Sequence, residues 1–207
     1  MNVTIIGTGN MARGLGERLI AGGHGVTVLG KDLDAAEAVV SDIEAGAKAG
    51  RSGDPISDDV VVLAVYYPDA QAAVAAHGDS LAGKIVIDIT NPVNESFDGL
   101  VTPPDGSAAQ ELARSAAGAR LVKAFNTTFA GTLNDGQVAG QPLDVFIAGD
   151  DEDAKATVAT LARDGGMNPI DAGPLKRARE LEAMGLLHMT LQGSLGTGFS
   201  SAIKLLA

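Results

Sequence analysis

The chain has 207 residues, of which 45% are hydrophobic and 20% charged, with a formal net charge of −11 and no cysteine. That length and apolar content suit one sizeable globular domain with at most a short appendage. The charge speaks against a nucleic-acid backbone or an anionic membrane surface as partner, and the lack of cysteine excludes disulfides, iron–sulfur clusters and thiolate catalysis.

Residues 3–7 read as a short buried strand that runs into a glycine turn and then a helix over 10–21, with Met11, Leu15 and Leu19 on one stripe and Gly22-Gly23 as its stop. A second strand is expected at 26–29. The helix after it has Ala35, Val39 and Ile43 as its apolar face. Residues 46–58, rich in Gly, Ser and Asp, read as a loop with room for a short strand. The continuous apolar run from 60 to 65 predicts a central strand, and Pro68 starts an alanine-rich helix. Further strands are expected at 85–87, 121–125, 143–148 and 167–171. Helices are expected at 107–117 and from Asp150 or Asp151 to 163. Gly173-Pro174 opens a last helix whose Leu181, Met184, His188, Leu191 and Leu195 recur at spacings of three and four.

Strand and helix alternate, which predicts an α/β fold: a Rossmann-like, doubly wound, mostly parallel sheet over residues 1–172 with a small C-terminal helical segment, 173–207. The longest apolar run, 60–67, is well short of the ~18 residues of a membrane span. No basic leader precedes the first strand, so a cytoplasmic protein is expected. His24, His77 and His188 have no metal-ligand spacing, and no metal site is expected.

The most informative stretch is Gly7-Thr8-Gly9-Asn10-Met11-Ala12. A helix that begins directly after a glycine turn aims its unpaired N–H groups and its positive dipole end at one point, where a pyrophosphate fits. Gly7 allows the tight turn, Gly9 lets the backbone approach the diphosphate, and Ala12 is small enough for helix and strand to pack closely. Dinucleotide binders that take NAD place a carboxylate at the end of the second strand to receive the ribose 2′-hydroxyl. Here that place holds Gly30, followed by Lys31 and Asp32, so nothing repels a 2′-phosphate and a cation stands beside it. NADP is expected over NAD. Asp32 has a plainer role as helix cap.

Ligands of doubly wound sheets collect at the carboxyl ends of the strands. In this chain those ends carry Val65-Tyr66-Tyr67-Pro68, Asp88-Ile89-Thr90-Asn91-Pro92 and Phe125-Asn126-Thr127-Thr128-Phe129. Four of the seven aromatics lie there among amides and hydroxyls, which suits a flat polar heterocycle. No general acid–base set is evident: Asp88 and Asp171 have no recognisable partner, and His188 reads as a core histidine. Hydride transfer between two bound rings needs positioning rather than a protein nucleophile, and no catalytic side chain is expected.

The first motif, Lys123-Ala124-Phe125-Asn126-Thr127, and Asp171-Ala172-Gly173-Pro174-Leu175 followed by Arg179-Glu180-Leu181-Glu182 resemble the NADP oxidoreductases dependent on coenzyme F420, an 8-hydroxy-5-deazaflavin. More distantly the chain is similar to the reductase domain of the six-transmembrane metalloreductases, which pass hydride from NADPH to a flavin. The resemblance implies a dimeric enzyme that moves hydride between NADPH and the deazaflavin. It implies Gly7, Thr8, Gly9, Asn10 and Met11 at the pyrophosphate and Gly30 and Lys31 at the 2′-phosphate. Val65, Tyr66, Tyr67 and Pro68 would lie on the nicotinamide side, with Asn91 and Pro92 near the stacked rings. Phe125, Asn126, Thr127 and Phe129 would face the second substrate. The family often has a serine and arginines where this chain has Gly30-Lys31-Asp32. Two alternatives stay open: an NADPH-dependent reductase of a flavin, ferric chelate or imine, and a non-enzymatic NADP-binding redox sensor.

Overall fold

β1 (Asn2–Ile6) is buried from its second residue onward, as a strand covered on both faces must be. In the computed structural model, which describes residues 1–43 and 46–206, it lies inside an eight-stranded sheet. The other strands are β2 (Gly25–Gly30), β3 (Ala47–Arg51), β4 (Val60–Leu63), β5 (Ile85–Asp88), β6 (Arg120–Lys123), β7 (Gln137–Val138), β8 (Gln141–Pro142), β9 (Asp144–Gly149) and β10 (Asn168–Gly173). The sheet order is β10-β9-β6-β5-β4-β1-β2-β3. From β3 to β6 all neighbours are parallel, which is the doubly wound order with its switch point between β1 and β4. The short strand anticipated within 46–58 is β3. Not anticipated were the reversal at β9, which runs antiparallel to β6, and the small β7–β8 hairpin.

The helices are α1 (Asn10–Ala21), α2 (Leu33–Asp42), α3 (Tyr67–His77), α4 (Ala108–Ser115), α5 (Ala130–Leu133), α6 (Glu152–Asp164) and α7 (Ala178–Leu195). One face of the sheet packs Ile5, Val28, Val62, Ile87 and Val122 with Leu15 of α1, Val39 of α2 and Leu161 of α6. The other packs Ile6, Leu29, Leu63 and Val86 with Val74 of α3 and Leu112 of α4. Each such side chain contributes roughly 1.5–3 kcal/mol by leaving water. The two filled faces hold the carboxyl ends of β1, β4, β5 and β6 rigidly around one crevice.

Two helical faces differ from expectation. In α2 the buried positions are Ala36 and Val39, continued by Ile43, while Ala35 is only half-buried. The cause is the start of the helix at Leu33, set by the Asp32 carboxylate, which accepts the Asp34 N–H at 3.1 Å. At the C-terminus, β10 extends to Gly173, a 3₁₀ turn covers Leu175–Arg177, and α7 starts only at Ala178. Its buried stripe is Ala178, Leu181, Glu182, Gly185, His188 and Gln192, whereas Leu191 and Leu195 face out together with Leu187. Leu181 and His188 are buried as expected, but the polar Glu182 and Gln192 join them because they find partners inside, which rotates the buried stripe away from Leu191 and Leu195. Among the described residues, no helix is long and apolar enough to cross a membrane.

Candidate functional site

Gly7 ends β1 with φ 129°, a conformation that L side chains rarely adopt, and a β-carbon there would lie 2.1 Å from the Ala64 carbonyl oxygen. The turn therefore requires glycine. Gly9 is the N-cap of α1, and a β-carbon built on it meets no atom within 4 Å. No side chain caps this helix end, and its first turn holds no acidic residue. The first amides of α1 thus have no side-chain acceptor from the cap, beside a Gly9 with free space around it, while Ala12 is fully buried. This cradle fits a diphosphate: the donors are unpaired, the field is positive and the floor has no side chain.

At the end of β2, a β-carbon on Gly30 would stand 2.6 Å from the Asp32 carbonyl oxygen, 2.7 Å from Thr8 Cγ2 and 3.3 Å from Ala36 Cβ. No carboxylate can occupy this position while Thr8 stays in place. Lys31, next in sequence, turns to α3 and its Nζ donates to Asp69 Oδ1 at 2.6 Å.

The ends of β4 and β5 bound a cleft of about 290 Å³ lined by Tyr66, Tyr67, Pro68, Asn91 and Pro92, all expected at the site, and by Val93, Asn94, Glu95 and Val101, which were not. Tyr66 is 84% exposed and packs into no core, so its ring is available to a ligand. Tyr67 is turned inward. Its hydroxyl donates to the Glu111 carboxylate and accepts from Gln71 Nε2 at 3.0 Å. Burial, then the bond to Glu111, raises its pKa well above that of an ordinary phenol. Val65 is half-buried against the core on this side.

The third strand end, after β6, behaves differently. Phe125 is 3% exposed and belongs to the core, so its ring does not line the cleft. It takes φ 60°, a left-handed conformation that costs a non-glycine residue roughly 1–3 kcal/mol. Thr128 holds it there, its N–H and hydroxyl both donating to the Phe125 carbonyl at 3.1 and 2.7 Å. Asn126 and Thr127 are buried as well. Asn91 and Asn126 clasp each other: Asn91 Nδ2 donates to the Asn126 carbonyl at 2.7 Å, and Asn126 Nδ2 donates to Asn91 Oδ1 at 2.9 Å and to the Leu181 carbonyl at 2.8 Å. Gly185 makes room for this clasp, since a β-carbon there would be 2.5 Å from Asn91 Oδ1. Two buried polar atoms at these strand ends, Thr90 Oγ1 and Asn126 Oδ1, have no hydrogen-bond partner among the described residues. Buried polar atoms are rarely left so.

Beneath the clasp lies an ion triad that sequence reasoning missed. Lys123 Nζ reaches Asp88 Oδ2 at 2.8 Å and Glu182 Oε1 at 3.0 Å, with all three side chains fully buried, and it also donates to the Thr90 carbonyl. Glu182 accepts the Ala108 and Ala109 N–H groups at 3.0 and 3.2 Å, placing its charge at the start of α4. Burial raises the Glu182 pKa, with Lys123 opposing and Asp88 adding to the rise. Asp88, read as unpartnered, is thus tied to Lys123. Asp171, read the same way, is bound by Lys155 Nζ at 2.9 and 3.0 Å. A lysine inside the apolar run Leu121-Val122-Lys123-Ala124-Phe125 was the available signal, because a buried ammonium demands a carboxylate.

The far wall is built from the C-terminus. Phe129 stacks on His188 with ring centroids 4.2 Å apart, and Phe199 meets it edge-on at 5.1 Å. His188 is satisfied on both nitrogens, Nδ1 by the Thr127 carbonyl at 3.2 Å and Nε2 by Ser201 Oγ at 2.9 Å. Burial lowers its pKa, against the opposing pull of the Thr127 carbonyl. Ser201, which also meets Gln192, ties the C-terminal tail to α7.

Residues 2–92 match the family of NADP oxidoreductases, coenzyme F420-dependent. The chain is 30% identical over 218 residues to the F420-dependent NADP reductase of Methanocaldococcus jannaschii, covering 96% of each protein. It is 32% identical over 184 residues to Metalloreductase STEAP3 of Rattus norvegicus, but spans only 36% of that protein's length. Among solved structures, a candidate F420-dependent NADP reductase from Arthrobacter sp. fb24 matches with a TM-score of 0.88, 29% identity and 99% coverage of both chains. With its glycine cradle, its strand-end cleft and this end-to-end likeness, the chain belongs to the family of coenzyme F420-dependent NADP oxidoreductases.

Proposed function

We propose that this protein transfers a hydride between NADPH and a deazaflavin of the coenzyme F420 type. The observation that carries the reading is the pairing of an uncapped helix start after the glycine turn at Gly7–Met11 with an apolar cleft at the ends of β4 and β5 that exposes Tyr66. When bound, NADPH supplies the hydride from its dihydronicotinamide ring. The α1 amides hold the diphosphate, and the steric closure at Gly30 keeps a competing carboxylate away from the 2′-phosphate. Tyr66, Pro68 and Pro92 give the rings apolar surface, and the Asn91 and Asn94 side chains lie at the same cleft to meet polar edges. The Asn91–Asn126 clasp and the C-terminal segment from residue 173 fix the wall against which the second ring rests. Such positioning accounts for a rate enhancement without a protein nucleophile.

NADPH oxidation by the purified protein, measured against the deazaflavin, FMN, riboflavin and ferric chelates, tests the reading. Turnover confined to the deazaflavin is expected. The likeness to a metalloreductase over 89% of this chain favours one second reading, in which a flavin is the acceptor; turnover with FMN but not with the deazaflavin would establish it instead. Nucleotide binding without turnover of any acceptor would point to a redox sensor.

The working unit is a homodimer in this proposal. Leu187, Leu191 and Leu195 are 58%, 40% and 60% exposed at four-residue spacing along α7, an apolar stripe suited to a second copy. A single-species monomer in sedimentation equilibrium at micromolar concentration would remove this part.

A further inference from the structure

After β2 come Gly30, Lys31 and Asp32, and Lys31 points to α3, where Asp69 holds it. The register partner of Gly30 on the neighbouring strand is a cation, Arg51. In the parallel register of β2 and β3, Val26 pairs with Ala47, Val28 with Ala49 and Gly30 with Arg51. Register partners in a parallel pair project to the same face and every second residue shares it. Val26 and Val28 with Ala47 and Ala49 all belong to the core on the α1 and α2 face. Arg51 therefore projects on the face where Gly30 lacks a side chain, and that is the face on which Thr8 of the glycine loop lies. Arg51 is exposed. The Ser52 N–H donates to the Gly30 carbonyl at 2.7 Å, which fixes the end of β3 against the end of β2. Its acidic neighbour Asp54 has its carboxylate engaged by the Arg51 N–H at 2.7 Å.

We propose that Arg51, at the carboxyl end of β3, is the residue that selects the 2′-phosphate of NADPH, its guanidinium closing over Gly30 from the edge of the sheet. The inference rests on the reading that the cradle binds a pyridine dinucleotide. A guanidinium presents paired donors that match a phosphate, and its charge cannot be lost near neutral pH. With the space at Gly30 filled by Thr8, Asp32 and Ala36, no side-chain carboxylate at position 30 stands between the phosphate and this guanidinium. Lys31 then acts as a secondary charge, shared with Asp69.

The test is calorimetric titration of the full chain and of Arg51→Gln with NADPH, NADH and 2′,5′-ADP. Arg51 is at the surface, so the variant is expected to fold as the parent does, which circular dichroism checks. The expected result is a loss of at least about tenfold in NADPH and 2′,5′-ADP affinity, with NADH within about twofold. Arg51→Lys is expected to recover part of the loss, since it keeps the charge without the paired donors. An unchanged ratio of NADPH to NADH affinity in Arg51→Gln would overturn the assignment, including the case in which Lys31→Ala alone abolishes the preference. If the parent protein bound none of the three ligands, the dinucleotide reading itself would fail, a result distinguishable from a preference that survives loss of Arg51.

Discussion

Lys123 of β6 and Glu182 of α7 meet at 3.0 Å with neither side chain exposed, and Asp88 of β5 completes the group at 2.8 Å. This contact joins the strand that carries the Phe125-Asn126 turn to the helix that packs against it. It also sets the Thr90 carbonyl and the N-terminus of α4, so three borders of the cleft share one buried charge cluster.

Removing the cation leaves two carboxylates buried and unpaired. Lys123→Met is expected to cost about 3–5 kcal/mol, because the lost partner matters more than the net value of the pair. Urea unfolding measures this as a lower midpoint at unchanged slope. A loss below about 1 kcal/mol would mean that the triad is solvated or neutral in solution.

The triad also predicts a pH dependence. Burial raises the Glu182 pKa above its unfolded value of about 4.3. An acid with a raised folded pKa favours the folded state most when protonated, so stability falls as pH rises from the unfolded value through the folded one. Asp171 has the opposite sign. Its pKa is held down by Lys155 and the Gly173 N–H, and its contribution is lost only as pH falls below the ordinary carboxylate range. In Glu182→Gln the decline above about pH 4 is expected to vanish while the acid-side loss persists. Unfolding curves from pH 3 to 8 decide it, and parallel profiles for the two proteins would count against a buried, titrating Glu182.

The two glycines of the cradle separate fold from ligand. Gly7→Ala sets a β-carbon into the Ala64 carbonyl in a disfavoured conformation and is expected to cost more than about 2 kcal/mol. Gly9→Ala meets empty space and is expected to change stability by less than about 1 kcal/mol. It nevertheless places a methyl group where the diphosphate must approach, so NADPH affinity should fall at least about tenfold. Equal stability losses, or unchanged NADPH binding in Gly9→Ala, would contradict the cradle.

Tyr66 tests the cleft. With 84% of its surface exposed, Tyr66→Ala should leave stability within about 0.5 kcal/mol. Loss of a stacked ring is worth about 0.5–1.5 kcal/mol, so NADPH affinity should fall roughly two- to tenfold. An NADPH affinity that does not move would place the nicotinamide ring elsewhere.

The βα unit at the N-terminus was legible because its signals are local: an apolar run, two glycines and a helix start follow within a dozen residues. The same holds for the parallel strands, which are buried on both faces and read as unbroken apolar segments. Reading failed where a polar residue is satisfied by a distant one. Leu181 and the core histidine His188 were read as inward-facing, as they are, but Glu182 and Gln192 are polar and also face inward on α7, whereas Leu191 and Leu195, taken for the same face, are exposed. Phe125 looked like a rim aromatic, but its left-handed backbone turns the ring into the core. Asp88 looked solitary because its partner Lys123 lies one strand over.

By itself, then, the amino-acid order determined which segments are strands and helices, that they wind into a mostly parallel sheet, and that a glycine turn leads from the first strand into an uncapped helix start. Backbone preference and hydrophobic burial act between near neighbours in sequence, and they suffice for that much. Tertiary structure alone decided which charges pair, which amides clasp and which residue of β3 pairs in register with Gly30. Those outcomes depend on strand register and helix rotation, where a shift of a single residue exchanges the inner face for the outer.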